Sequence, residues 1–113
     1  MSQITTHVLD TSKGKPAQGI HIILEKINAD GTWTALGKGE TNADGRLPDL
    51  LASEVKLKPG IYRLFFDTAS YFKKQSVKSF YPSVTIIFET TDQTHYHVPL
   101  LLNPYGYSTY RGS

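Results

Sequence analysis

A β-sandwich is the fold class this sequence predicts, and three observations predict it. Short runs of strand-forming residues recur about every 10 to 15 positions. Within those runs, residues alternate between apolar and polar with the period of two that a half-buried strand needs. Turn signals part the runs, among them the tetrapeptide Asn-Ala-Asp-Gly, which stands at both Asn28 to Gly31 and Asn42 to Gly45. A chain of 113 residues, 39% apolar and 12% aromatic, suffices for one packed core and leaves no room for a second.

The elements follow in order. Ile4 to Asp10 reads as the first strand, with Ile4, Thr6 and Val8 on one face and Thr5, His7 and Leu9 on the other. A loop at Gly14-Lys15-Pro16 leads to a strand over Gly19 to Ile27, where Ile20, Ile22 and Leu24 share the buried face. The first Asp-Gly step closes a hairpin onto Thr32 to Lys38, which carries the single tryptophan, Trp33. The second delivers Arg46 directly after Gly45, on a turn or at the start of a short strand. Ile61 to Asp67 alternates Tyr62, Leu64 and Phe66 against Arg63 and Phe65. Thr68 to Gln75 breaks the pattern and reads as one short helix, because it offers a capping residue and too little β-branching for a strand. After the Tyr81-Pro82-Ser83 turn, Val84 to Thr90 is a strand; so are His95 to Leu102 and Tyr105 to Tyr110, parted by Asn103-Pro104. The sum is seven or eight strands and one helix.

Composition excludes several functions. The formal charge of +2 is scattered, with no basic run of the density that nucleic acid or an anionic membrane requires, so neither partner is expected. Cysteine is absent, which removes disulfides, thiolate catalysis and cysteine-based zinc sites. The segment Met1-Ser2-Gln3-Ile4 lacks the features of a secretory signal, no apolar run approaches the ~18 residues of a membrane span, and a cytoplasmic location is expected.

The residues with chemical potential are the histidines and an arginine. From His95 onward, alternation puts Tyr96, Val98, Leu100 and Leu102 on the core face, so His97 projects away from the core with His95 and Leu101. Pro99 cannot donate to a ladder, which predicts a bulge or an unpaired edge there. His95 and His97, with His7 as a third, could bind a metal, but no carboxylate or cysteine neighbours the pair to complete a usual ligand set, and none is expected. No nucleophile elbow, phosphate loop or dinucleotide fingerprint is present, and the glycines read as turn glycines. Asp44 and Asp49 flank Arg46, but the Asp44-Gly45 turn accounts for the first, and neither is expected to be a catalyst.

Five motifs stand in a characteristic order: Thr6-His7-Val8-Leu9-Asp10, Gly14-Lys15-Pro16-Ala17, Thr41-Asn42-Ala43-Asp44-Gly45-Arg46, His95-Tyr96-His97-Val98-Pro99-Leu100, and the closing Tyr110-Arg111-Gly112-Ser113. Together they resemble the 5-hydroxyisourate hydrolases, the purine-degrading branch of the transthyretin-like family. The resemblance covers nearly the whole chain and implies a single all-β domain over 1–113, a sandwich of two four-stranded sheets with one short helix. It implies hydrolysis of 5-hydroxyisourate to 2-oxo-4-hydroxy-4-carboxy-5-ureidoimidazoline without metal or other cofactor. The assembly implied is a homotetramer, a dimer of dimers, with active sites in the channel between dimers.

Carried over by position, the site residues are His7, Arg46, His97 and the tetrapeptide Tyr110, Arg111, Gly112 and Ser113. His7 or His97, with His97 favoured, would take a proton from water; Arg46 would bind the oxygen-rich substrate and the charge that develops on it. Ser113 would join these as a catalytic group, and Tyr110, Arg111 and Gly112 would shape the pocket. The alternatives are a transthyretin-like carrier of an aromatic ligand and a non-catalytic scaffold module. Charged and titratable groups at positions 7, 46 and 97 speak against the carrier.

Overall fold

The computed structural model describes residues 2–113. Eight strands and one helix follow one another along the chain: β1 (Ile4–Asp10), β2 (Lys15–Pro16), β3 (His21–Ile27), β4 (Trp33–Glu40), β5 (Gly60–Phe66), α1 (Thr68–Lys73), β6 (Val84–Thr90), β7 (Tyr96–Asn103) and β8 (Gly106–Thr109). They form two four-stranded sheets, ordered β2-β1-β7-β8 and β4-β3-β5-β6. The second sheet is antiparallel throughout, with β5 crossing back to pair with β3 instead of β4 and the helix between β5 and β6; the first unites the two ends of the chain.

The alternation read from the sequence is the alternation that is buried. Ile4, Val8, Ile20, Ile22, Leu24, Tyr62, Leu64, Phe66 and Leu100 have no exposed surface, and Val98 and Leu102 have almost none. Each side chain removed from water in this way stabilises the sandwich by roughly 1.5–3 kcal/mol before entropy is counted. Thr6 occupies the same inner face, where a lone hydroxyl would be costly; it donates to Val98 O at 2.6 Å. Asp10 is also buried. It accepts from the Ser12 backbone and hydroxyl and from Tyr71 Oη at 2.7 Å. Burial alone would raise its pKa, but those donors outweigh it and hold the carboxyl below its usual range, while burial and Asp10 push Tyr71 up to about 12.

The pairing that positions everything else is between β1 and β7. They run parallel in unbroken register from Ile4 opposite Tyr96 to Asp10 opposite Leu102, which puts Thr5 beside His97 and His7 beside Pro99. The register does not shift at Pro99, so no bulge forms there. On the other side of β7 the ladder with β8 begins at Leu100 opposite Thr109 and lapses at Pro99 and Val98. A bridge between His97 and Gly112 restores it in the same register, with Gly112 N donating to His97 O at 2.8 Å. Backbone groups of alternate residues face the same neighbour, so Pro99 is the residue whose donor would have met Tyr110. The unpaired alternative is thus the one adopted.

Three features depart from the sequence reading. Lys15–Pro16, read as loop, is a two-residue strand against Leu9 and Asp10. Gly37 and Gly39 are not turn glycines: they lie within β4. A Cβ on Gly37 would strike the Leu50 carbonyl, and one on Gly39 would lie 2.8 Å from Leu47 Cδ1. The cause is the third feature, a segment of the β4–β5 connection that crosses these glycines and buries Leu47, Leu50 and Leu51 in the core. The N-terminus straps it down, with Leu51 N donating to Ser2 Oγ and Leu57 N to Gln3 Oε1.

Candidate active site

Arg46 reaches the site because its turn docks on the edge of β1. Asn42 caps the turn by accepting from the backbone of Asp44 and Arg46, and Gly45 takes φ 73°. Val8 N then donates to Gly45 O at 2.8 Å, and His7 and Arg46 form an antiparallel bridge. The approach is so close that a side chain on Gly45 would meet Val8 O and Pro16. Residues opposed in a sheet project to the same face. Arg46 and His7 therefore share the outer face of the first sheet, and so do Thr5 and His97 in the adjacent row.

The C-terminal segment closes this face from the other side. Gly112 lies opposite His97, and a Cβ at Gly112 would stand 2.6 Å from His97 Cδ2. Only a residue without a side chain lets the strand lie flat against the imidazole. The result is a concavity of about 430 Å³ lined by Thr5, Thr6, Arg46, Leu47, Pro48, Asp49, His95, His97 and Ser113. Of the residues expected from sequence, Arg46, His97 and Ser113 line it directly; His7 does not, although its backbone bridges Arg46, and Gly112 lies against His97.

Tyr110 and Arg111 are not brought to this concavity. They line a second one, of about 280 Å³, bounded by β6 residues Ile86 to Glu89 together with Tyr96, Val98 and Thr109. The Arg111 guanidinium sits over the Tyr96 ring, 4.4 Å from its centroid.

His97 is built to stay neutral. Burial lowers its pKa first, and the Arg46 guanidinium, His95 and His7 lower it further. Its Nδ1 lies 2.8 Å from Thr5 Oγ1 and its Cδ2 edge faces Gly112, so Nε2 is the nitrogen left for the concavity. Thr5 and His95 were not expected as site residues, although the strand alternation already put them on the faces of His7 and His97. Asp49 was noted only as a neighbour of Arg46, and nothing in its sequence context reveals that the Leu47–Leu51 crossing leaves it exposed at this concavity. Among the described residues, no three His, Cys, Asp or Glu side chains are grouped to hold a metal ion, and no helix is long and apolar enough to cross a membrane.

The sequence matches the model of the HIUase/transthyretin family over residues 4–112. The chain belongs to that family. It is 50% identical to the 5-hydroxyisourate hydrolase of Mus musculus over 114 residues, covering 99% of this chain and 96% of the mouse protein. Among solved structures it resembles sea bream transthyretin in complex with thyroxine, with a TM-score of 0.91 at 30% identity over 98% of this chain and 95% of that one. The Klebsiella pneumoniae 5-hydroxyisourate hydrolase gives 0.84 at 35% identity, over 97% and 98%. The fold is shared by carrier and hydrolase, so it cannot separate them; the relatives at 44–50% identity do. This chain is an enzyme, on the hydrolase side of the family.

Proposed function

We propose that this chain hydrolyses 5-hydroxyisourate, with His97 as the base and Arg46 as the group that binds developing charge. The observation that carries the reading is one concavity lined by both a guanidinium and an imidazole held neutral, in a chain half identical to a named 5-hydroxyisourate hydrolase. A neutral imidazole can accept a proton at the pH of the cell, and an imidazolium cannot. His97 Nε2 takes a proton from water as the water oxygen attacks the ring carbonyl carbon. The negative charge that builds on the carbonyl oxygen is met by Arg46, a fixed fork of donors on the rim. The ring C–N bond then breaks, and the proton held by the imidazole passes to the leaving nitrogen. His7, bridged to Arg46, keeps the guanidinium on this face, and Ser113 bounds the substrate at the opposite wall.

The same reading includes assembly as a dimer of dimers that completes the site. It is supported by two of the four sheet edges, β6 and β8, which flank the second concavity and lie among exposed Phe80, Ile87, Tyr105, Tyr107 and Tyr110. Open edges beside exposed aromatics are surfaces that proteins normally cover. Sedimentation as a stable monomer at micromolar concentration would remove the assembly.

The activity is tested by generating 5-hydroxyisourate in situ from urate with urate oxidase and following its ultraviolet decay. Acceleration by the wild-type protein supports hydrolysis. A folded protein that leaves the decay unchanged would overturn 5-hydroxyisourate as the substrate.

A further inference from the structure

One hydroxyl stands between two imidazoles. Thr5 Oγ1 lies 2.7 Å from His95 Nε2 and 2.8 Å from His97 Nδ1. A hydroxyl holds a single proton, so it can donate to only one of these nitrogens, and at least one ring must supply its own N–H to the contact. The two rings also differ in surroundings. His97 is half-buried and faces Arg46 from the 42–46 turn, His7 from β1 and His95 from β7, with Asp49 and Ser113 across the concavity. His95 is exposed, where water solvates an imidazolium at little cost.

We propose that Thr5 fixes the tautomer of His97 and hands its excess proton to His95. In the resting site His97 Nδ1–H donates to Thr5 Oγ1, and the Thr5 hydroxyl donates to His95 Nε2. That arrangement leaves a lone pair on His97 Nε2, the nitrogen facing the concavity. When Nε2 takes a proton from the attacking water, the Nδ1 proton moves to Thr5 Oγ1 and the hydroxyl proton moves to His95 Nε2. Water has lost one proton and His95 has gained one; both rings and the hydroxyl otherwise keep their proton counts. The positive charge has moved from the half-buried ring beside Arg46 to the exposed one. The reverse transfer returns the proton for the leaving nitrogen. Thr5 is thus a positioning residue, acting through His97, and the stacked neighbour His95, 6.3 Å away between ring centroids, is the proton store.

The inference rests on the hydrolase reading, but its first test needs no turnover. Nitrogen-15 spectra of the imidazoles in the folded wild-type protein at neutral pH are expected to give His97 protonated at Nδ1, with that assignment kept in Thr5→Ser and lost to a mixture in Thr5→Val. A wild-type His97 protonated at Nε2, or a Thr5→Val spectrum identical to wild type, would overturn it. In the decay assay, Thr5→Val and His95→Ala should each lower kcat about tenfold or more, a fraction of the 10²–10⁴ that a positioned base supplies, with little change in KM. The double variant should lose no more than either alone, and Thr5→Ser should recover most of the rate. Losses that multiply, or a wild-type kcat in either single variant, would remove the relay. Absence of wild-type turnover would instead strike the hydrolase reading, leaving the tautomer spectra to decide the role of Thr5.

Discussion

The two faces of the β1–β7 pair are made by the same two strands and do opposite work. Toward the core, Ile4, Thr6, Val8 and Asp10 meet Tyr96, Val98, Leu100 and Leu102, none more than 6% exposed. Toward the outside, Thr5 and His7 meet His95, His97 and the docked Arg46. Because side chains alternate strictly, a one-residue slip would exchange the faces entirely. The core face therefore fixes the register, and the register sets the distance from Thr5 to His97. Stability and chemistry are coupled through the backbone but separable by side chain, and substitutions on each face should read differently.

The largest effect belongs to the outer face. His97→Ala should lower kcat/KM about 10²–10⁴-fold, and Arg46→Ala about 10²–10³-fold, while thermal unfolding shifts little in either case. A His97→Ala protein with near-wild-type kcat/KM would remove the base assignment and turn attention to His7. The counterpart on the inner face is Leu100→Ala. Leu100 is wholly buried opposite Val8, so truncation should cost about 2–5 kcal/mol in denaturant unfolding while leaving kcat/KM close to wild type at temperatures where the protein stays folded. Loss of activity without loss of stability in this variant would mean that the two faces are not separable.

Gly112→Ala probes the seam between them. The added methyl would stand 2.6 Å from His97 Cδ2 and 3.2 Å from Pro99 Cγ, so either the ring or the closing strand must move. A displacement approaching an ångström at a reacting group costs up to about a hundredfold, and kcat/KM should fall by roughly ten- to a hundredfold with stability nearly unchanged. Wild-type kinetics would indicate that the ring is not held by the strand.

How far the sequence reached follows the same division. Strand parity is a local property, so the core sides of β1, β3, β5 and β7 and the outward course of His97 could all be read directly. The motif resemblance supplied Arg46 and the closing tetrapeptide. What parity could not supply was convergence: Arg46 joins His7 only because Gly45 can press its backbone onto Val8, a contact between segments 37 residues apart. The same limit hid the Leu47–Leu51 crossing and with it the reason for Gly37 and Gly39. Thr5 was legible but silent. It lay on the right face, and only the parallel register with β7, set by residues more than ninety positions away, made it the partner of His97.

The smallest expected effect is on pH dependence, and it ties the faces together thermodynamically. His97 has its pKa lowered by burial and then by Arg46, His95 and His7, so the acid limb of kcat/KM should fall below the ordinary histidine value of 6.5. The sign for stability follows from linkage. Between the lowered folded value and 6.5 the unfolded chain binds the proton and the folded chain does not, so the stability associated with neutral His97 is present above 6.5 and declines as pH falls through the folded pKa. His97→Gln should flatten this part of the stability profile, and Arg46→Gln should move the remaining acid limb upward by removing a neighbouring positive charge. Urea unfolding from pH 5 to 7.5 measures the first and kcat/KM over the same range the second. An acid limb above 6.5 in the wild type would mean that a carboxylate, Asp49 or one brought by a neighbouring subunit, dominates the field at His97.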